Sequence, residues 1–415
     1  MGFDRRARNR MELQRISIIC VLLAMSWAVV WGATPTAQAS RLTEITIPAL
    51  PGQIPDTWLG ATLNPKHAAP YAGPPRARVL LPDDYDPSKK YPLLLLLAGA
   101  SSDYRTWSDE VLGRIQSTAA GFPGIIVMPE GATGFYTDWW RGNPDWESYY
   151  LDVVVPEIVK RYPIRPERRW HAIAGVSMGG LGAAYLGGRL PQYFGSVAVI
   201  SGLVDTDLFP GMPNLAALVP EVNALQPLDL NAVYGPYGGF YALGHNPIQL
   251  ASNLQHTRVF MATGDGEPTS DGEPNDNNPV SDLPIEVALI HPGSDRYINA
   301  LRAARVDATY QVHAGIHDFA NFRRELRDAI AWDLFAPVEE NPTRWGNDTV
   351  ATHGSLWGFG YHFDDSPDHI VHFERDGNIL RIGAAGTPVT ISAGPGCTVH
   401  TPTPASINIE GLSCR

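Results

Sequence analysis

The chain has 415 residues, 44% of them hydrophobic and 18% charged, with 31 basic against 43 acidic side chains. That length allows two to three domains or one large domain with an appendage, and the composition supplies a substantial core and argues against extended disorder. The acidic excess, with no clustered Lys/Arg patch after residue 39, argues against a phosphate-binding surface and therefore against a nucleic-acid partner.

Residues 1–39 carry five arginines and no lysine ahead of an apolar stretch from Ile16 to Trp31, then the small-x-small exit Ala37-Gln38-Ala39. This pattern predicts a signal peptide cleaved before Ser40, and so a secreted protein, extracellular or associated with the cell envelope. An uncleaved anchor is the alternative, because the apolar stretch approaches spanning length. Arg5-Arg6 leaves the export route open. Without the five arginines and two acids of this segment, 26 basic and 41 acidic residues remain. Cys20 falls inside it, so the exported chain keeps Cys397 and Cys414, which are expected to pair. Two such cysteines without histidines at ligand spacing form no metal site, and no cofactor is expected.

After short strands at Thr43–Ile47 and Arg76–Leu81, the run from Tyr91 to Gly99 is continuously apolar and ends in glycine, the signature of a strand buried on both faces. Similar runs follow at Gly124–Pro129, Trp170–Gly175, Ser196–Ser201, Arg258–Ala262 and Ala308–Val312. Helical patterns lie between them at Trp146–Arg161, Met178–Leu190 and Ala320–Phe335. Strand, helix and strand at this spacing predict an α/β fold with a mostly parallel central sheet over residues 40–337. Two irregular insertions, Val204–Leu254 and Gly264–Pro284, are expected as loops or a lid. Residues 338–415 change texture to alternating segments between glycine and proline turns, predicting a small β-rich domain stapled by Cys397 and Cys414.

The pentapeptide Gly175-Val176-Ser177-Met178-Gly179 follows one of the buried runs and opens a helix of small residues. A serine exposed on a sharp strand-to-helix turn is the nucleophile elbow of an acyl-transfer enzyme. Its hydroxyl needs a base, and His317 lies in the loop between the last strand and the last helix, whereas His313 falls at the strand itself. The orienting acid is open on spacing alone. Strand position points to Asp265, with Glu267, Asp271, Glu273 and Glu286 as the other candidates. Backbone N–H groups of Ala100 and Met178 are the expected oxyanion donors. Trp107, Trp140 and Phe319 are candidates for an apolar acyl or sugar pocket, or for plain aromatic packing.

With these residues placed, Leu95–Trp107, Ile126–Trp140 (which contains FYTDWW), Gly175–Asp205, Tyr234-Gly235-Pro236 and Gly315-Ile316-His317 resemble the antigen 85 and esterase D group of α/β-hydrolases. Its antigen 85 members are secreted mycolyltransferases of mycolate-walled actinobacteria. The resemblance implies an α/β-hydrolase fold and a Ser-His-Glu triad. It selects Glu286, 31 residues before His317, as the acid, with Asp265 as runner-up. It favours acyl transfer on cell-envelope lipids or sugars, followed by a secreted carboxylesterase with water as acceptor. A non-catalytic wall-binding protein is the reading from another class. The chain departs from the mycolyltransferases at Ala100-Ser101, where those enzymes carry a trehalose-binding arginine, and at Asp318-Phe319 after the histidine. These departures leave the acyl acceptor open.

Overall fold

A computed structural model describes residues 41–54, 73–211, 230–394 and 396–411. The predicted signal peptide lies outside the described residues. Eight strands form the central sheet: β1 (Leu42–Thr46), β2 (Arg76–Leu80), β3 (Leu93–Leu97), β4 (Ile125–Pro129), β5 (His171–Val176), β6 (Ser196–Ile200), β7 (Arg258–Gly264) and β8 (Ala308–His313). Their spatial order is β1-β2-β4-β3-β5-β6-β7-β8. β1 and β2 pair antiparallel and β2 joins β4 antiparallel, while every other pairing is parallel.

The period of two along each strand divides the core. Leu93, Leu95 and Leu97 of β3 enter one apolar layer with Ile125, Val127, Val197 and Val199. Leu94 and Leu96 enter the opposite layer with Ile126, Met128, Ala198 and Ile200. A strand covered on both faces must be apolar throughout, which accounts for the five consecutive leucines. Each fully buried leucine is worth roughly 2–3 kcal/mol over its exposed state.

Helices α1 (Val155–Arg161) and α2 (Met178–Arg189) follow the predicted pattern. The second insertion ends earlier than expected. Helix α3 (Pro279–Ile285) continues through a π turn at Glu286–Ile290 into α4 (His291–Ala303), and α5 (Phe319–Ala331) closes the α/β body. Pro284 and Pro292 hide this helical stretch from a propensity reading, since interior proline removes a backbone donor. The π turn lies between the two prolines, and Glu286 is its first residue.

The C-terminal segment folds as two four-stranded antiparallel sheets. One contains β10 (His353–Leu356), β11 (Phe359–Phe363), β14 (Val389–Ser392) and β15 (Thr398–Thr401), and the other β9 (Arg344–Thr349), β12 (Val371–Asp376), β13 (Ile379–Ile382) and β16 (Ala405–Asn408). Both contribute to a shared core including Tyr361, Phe363, Phe373, Leu380 and Ile391. This sandwich packs with the α/β body as one compact unit. Arg189 at the end of α2 is fully buried and donates from Nε to Glu147 at 2.5 Å and from Nη1 to the Tyr361 hydroxyl at 3.0 Å. Removing one partner of a buried pair of this kind costs about 3–5 kcal/mol. Cys397 is buried between β14 and β15, and Cys414, its expected partner, lies outside the described residues.

Candidate active site

Ser177 stands between β5 and α2 with φ +56° and ψ −119°, a strained conformation that projects its hydroxyl away from both elements. The turn requires glycine on either side. A Cβ at Gly175 would lie 2.1 Å from the Gly179 carbonyl oxygen, and one at Gly179 would lie 2.6 Å from the Ala98 carbonyl oxygen. The serine backbone is pinned as well, its N–H donating to Ile200 O and its carbonyl accepting from Gly180 and Leu203.

The structure brings Ser177, His317 and Glu286 together in a hydrogen-bonded line. Ser177 Oγ lies 2.9 Å from His317 Nε2, and His317 Nδ1 lies 2.8 Å from Glu286 Oε2. A carboxylate only accepts, so Nδ1 donates to Glu286 and Nε2 is left as the acceptor facing the serine hydroxyl. Glu286 is fully buried, and its other oxygen accepts from Thr263 Oγ1 at 2.7 Å, Gly264 N at 2.7 Å and Ser201 Oγ at 3.1 Å. His317 is further held by its N–H to Asp282 O and by the edge of Phe322.

Asp265 is placed elsewhere. It is exposed and closes an Asx turn by accepting from Glu267 N, because β7 runs two residues past the predicted end before the chain turns outward. His313 lies at the end of β8, its Nε2 3.4 Å from Glu325 Oε1 rather than at the serine. Met178 opens α2, where a first-turn N–H has no intrahelical acceptor. The Gly99-Ala100 turn borders the serine, since a Cβ at Gly99 would lie 3.4 Å from Ser177 Cβ.

Two of the three pocket candidates are core residues instead. Trp107 is buried with its indole N–H donating to Leu97 O at 3.0 Å, and Phe319 packs edge-on against it below the sheet's end. Trp140 differs, being 42% exposed and resting on Phe240 and Tyr241 from the first insertion. The second insertion is tied down by charge. Asp271 pairs with Arg323 of α5, and Asp318, the N-cap of α5, accepts from Asn275 and Asn277. A cavity of about 830 Å³ lies at the opposite ends of the strands, beside Pro92, Pro123 and Trp170, which precede β3, β4 and β5. Its lining mixes Lys89, Lys90, Arg165 and Arg169 with Asp84, Glu167 and Asp333, and does not include Ser177, His317 or Glu286.

Residue-type reasoning passes over Ser201, Thr263 and Glu325, the side chains around the acid. The available signal is Glu325 itself, an acid on the apolar stripe of α5 between Phe322 and Leu326. Glu130 is a further buried acid, in the loop after β4, accepting from Gly131 N and Ala132 N. Burial, with Asp103 beside it, pushes its carboxyl up to about 8. The folded state therefore keeps a proton that the unfolded state releases near pH 4.5, and stability falls as pH rises from there through 8. The melting temperature of Glu130→Gln is expected to fall less steeply than that of wild type between pH 6 and 8. Parallel melting curves would refute this placement of the proton.

A family model described as "Putative esterase" matches residues 71–332. Esterase Rv1288 of Mycobacterium tuberculosis is 30% identical over 201 residues, covering 46% of this chain, and the match spans 42% of that protein's length. Diacylglycerol acyltransferase/mycolyltransferase Ag85A of Mycobacterium leprae is 27% identical over 201 residues, 44% of this chain and 58% of that protein. Among solved structures, MPT51 (FbpC1) of Mycobacterium tuberculosis superimposes with a TM-score of 0.54 at 18% identity, over 72% of this chain and 99% of that one. At that identity the superposition shows a shared fold, and the relationship is distant.

Proposed function

Because this chain belongs to the esterase family, we propose that it cleaves carboxylic esters through an acyl-enzyme on Ser177, with water as the acceptor. The reading is carried by one observation, the unbroken line from Ser177 Oγ through His317 to Glu286 at 2.9 and 2.8 Å. In this mechanism His317 Nε2 takes the hydroxyl proton as Oγ attacks the ester carbonyl, then returns it to the leaving alcohol. Glu286 holds the imidazole in the tautomer that accepts at Nε2 and stabilises the imidazolium. The N–H groups of Ala100 and Met178 receive the charge that develops on the carbonyl oxygen, a contribution of about 3–4 kcal/mol per donor in such sites. Water activated by the same histidine then releases the acid.

A second reading, transfer of the acyl group to a sugar hydroxyl of a cell-envelope lipid, is favoured by the likeness to Ag85A and by the half-exposed Trp140 with its aromatic neighbours. It goes with export by the predicted signal, and with Cys397–Cys414 closing the C-terminal sandwich outside the reducing cytoplasm. Both readings share the first half-reaction and differ in whether the site admits water or a sugar. Incubation with acyl esters of increasing chain length, with and without trehalose, separates them. Free acid is expected to predominate in both conditions. Acylated trehalose in excess of free acid would replace hydrolysis by transfer.

A further inference from the structure

Behind Glu286 lies a second carboxyl group that the proposed chemistry does not use. Glu325 on α5 is fully buried, and Ser201, also fully buried, stands between the two acids. Ser201 Oγ is 3.1 Å from Glu286 Oε1 and 2.9 Å from Glu325 Oε1. Asn321, one turn earlier on α5, donates from Nδ2 to Glu325 Oε1 at 3.1 Å and to Ser201 Oγ at 3.2 Å. Ser201 holds φ +36°, a region that residues other than glycine rarely occupy, so the fold sustains strain to keep this hydroxyl in place.

We infer that Glu325 is a positioning residue, a neutral carboxylic acid that donates to Ser201 and so commits the Ser201 proton to Glu286, holding Glu286 as the anion that orients His317. This rests on the triad reading above. A serine hydroxyl has one proton and cannot donate to two carboxylates at once. Glu286 is offered four donors: Thr263 Oγ1, Gly264 N, Ser201 Oγ and His317 Nδ1. Glu325 is offered the Asn321 amide besides Ser201, and its Oε2 has no hydrogen-bond partner among the described residues. The donors therefore favour ionisation of Glu286, and two anions sharing one hydroxyl in a dry site are mutually disfavoured. With Glu325 protonated, its O–H points to Ser201 Oγ, Ser201 points to Glu286, and every proton in the chain has an acceptor.

The surroundings agree. Burial, then the Glu286 charge, hold the Glu325 carboxyl well above the usual carboxylate range. His313 of β8 stands 3.4 Å away, but burial, followed by the Arg324 charge, pulls its titration down, so it faces Glu325 as a neutral ring. Tyr310 of β8 is kept protonated, burial acting first and the acids Asp295, Glu286 and Glu325 adding to it. His317 is reached only through Glu286, and Arg324 turns to Ala314 O. Glu325 thus has no cation among the described residues to stabilise its charged form.

The test compares wild type, Glu325→Gln and Glu325→Leu for kcat and KM on a p-nitrophenyl ester from pH 5 to 10, with melting temperature and fluorophosphonate labelling of Ser177 followed alongside. Glutamine keeps an uncharged donor towards Ser201, and leucine removes it. Glu325→Leu is expected to lower kcat at least about ten-fold with KM little changed, and Glu325→Gln to restore most of that loss. Glu325→Gln, uncharged at every pH, is expected to keep the wild-type pH profile, because a neutral Glu325 offers no charge for glutamine to remove. A Glu325→Gln profile whose limbs are displaced from those of wild type would overturn the inference, and this comparison holds even if the leucine variant fails to fold. So would a leucine variant with wild-type kcat and only a lower melting temperature. Wild type that does not label at Ser177 instead overturns the triad reading on which the inference stands.

Discussion

Ser177→Ala is expected to lower kcat/KM on a soluble acyl ester by at least about 10³-fold while leaving the melting temperature within a few degrees of wild type. The size of the loss follows from the mechanism. Without the hydroxyl no acyl-enzyme forms, and what remains is whatever the oxyanion donors and binding alone provide. The unchanged fold follows from position. Ser177 contributes its backbone to the elbow, through Ile200 O, Gly180 N and Leu203 N, and those bonds survive removal of Oγ. Alanine at φ +56° is no better accommodated than serine, so any stability change is small and its sign is set by the lost hydrogen bond to His317. Activity within ten-fold of wild type would remove Ser177 from the chemistry.

Glu286→Ala is expected to cost about 10³–10⁴-fold in kcat, and Asp265→Ala less than about three-fold. The contrast is sharp because the two acids sit in opposite environments. Glu286 is buried against His317 Nδ1 and collects three further donors. Removing it frees the imidazole to adopt the other tautomer and leaves the Thr263 hydroxyl, the Gly264 N–H and Ser201 without their acceptor, so stability falls as well. Asp265 is exposed and satisfies a backbone N–H two residues on, a bond that water replaces at little cost. Collapse of turnover in Asp265→Ala with Glu286→Ala still active would reverse the assignment of the acid.

The sheet is legible in the sequence because parallel strands buried on both faces must be apolar almost without interruption, as Leu93–Leu97 and Val197–Ile200 are. The family follows from the elbow together with the FYTDWW stretch, since a glycine-flanked serine gains meaning from the strand before it and the small-residue helix after it. What stays hidden has local causes. Helix α3 and its π turn are masked by Pro284 and Pro292, so a residue reading takes the start of that helix for a loop and gives no strand-based reason to choose Glu286. The family resemblance selects Glu286, and in the fold it lies 2.8 Å from His317 Nδ1. Trp107 and Phe319 look like pocket residues because aromatics near a catalytic loop serve as platforms and as packing alike. Their partners, Leu97 O and each other, are visible only in three dimensions. Ser201 and Thr263 are invisible for another reason. A hydroxyl at the end of a strand carries no pattern, and its value lies entirely in the acid brought beside it, 85 residues later for Ser201 and 23 for Thr263.

Ser177 is the residue proposed to carry the acyl group. Intact-mass analysis after exposure to a fluorophosphonate probe tests it most directly, on the wild-type chain and on Ser177→Ala side by side. One adduct on wild type, mapped to the peptide containing Ser177, and none on the variant is the predicted result. An unlabelled wild type, or an adduct that persists in Ser177→Ala, would contradict it.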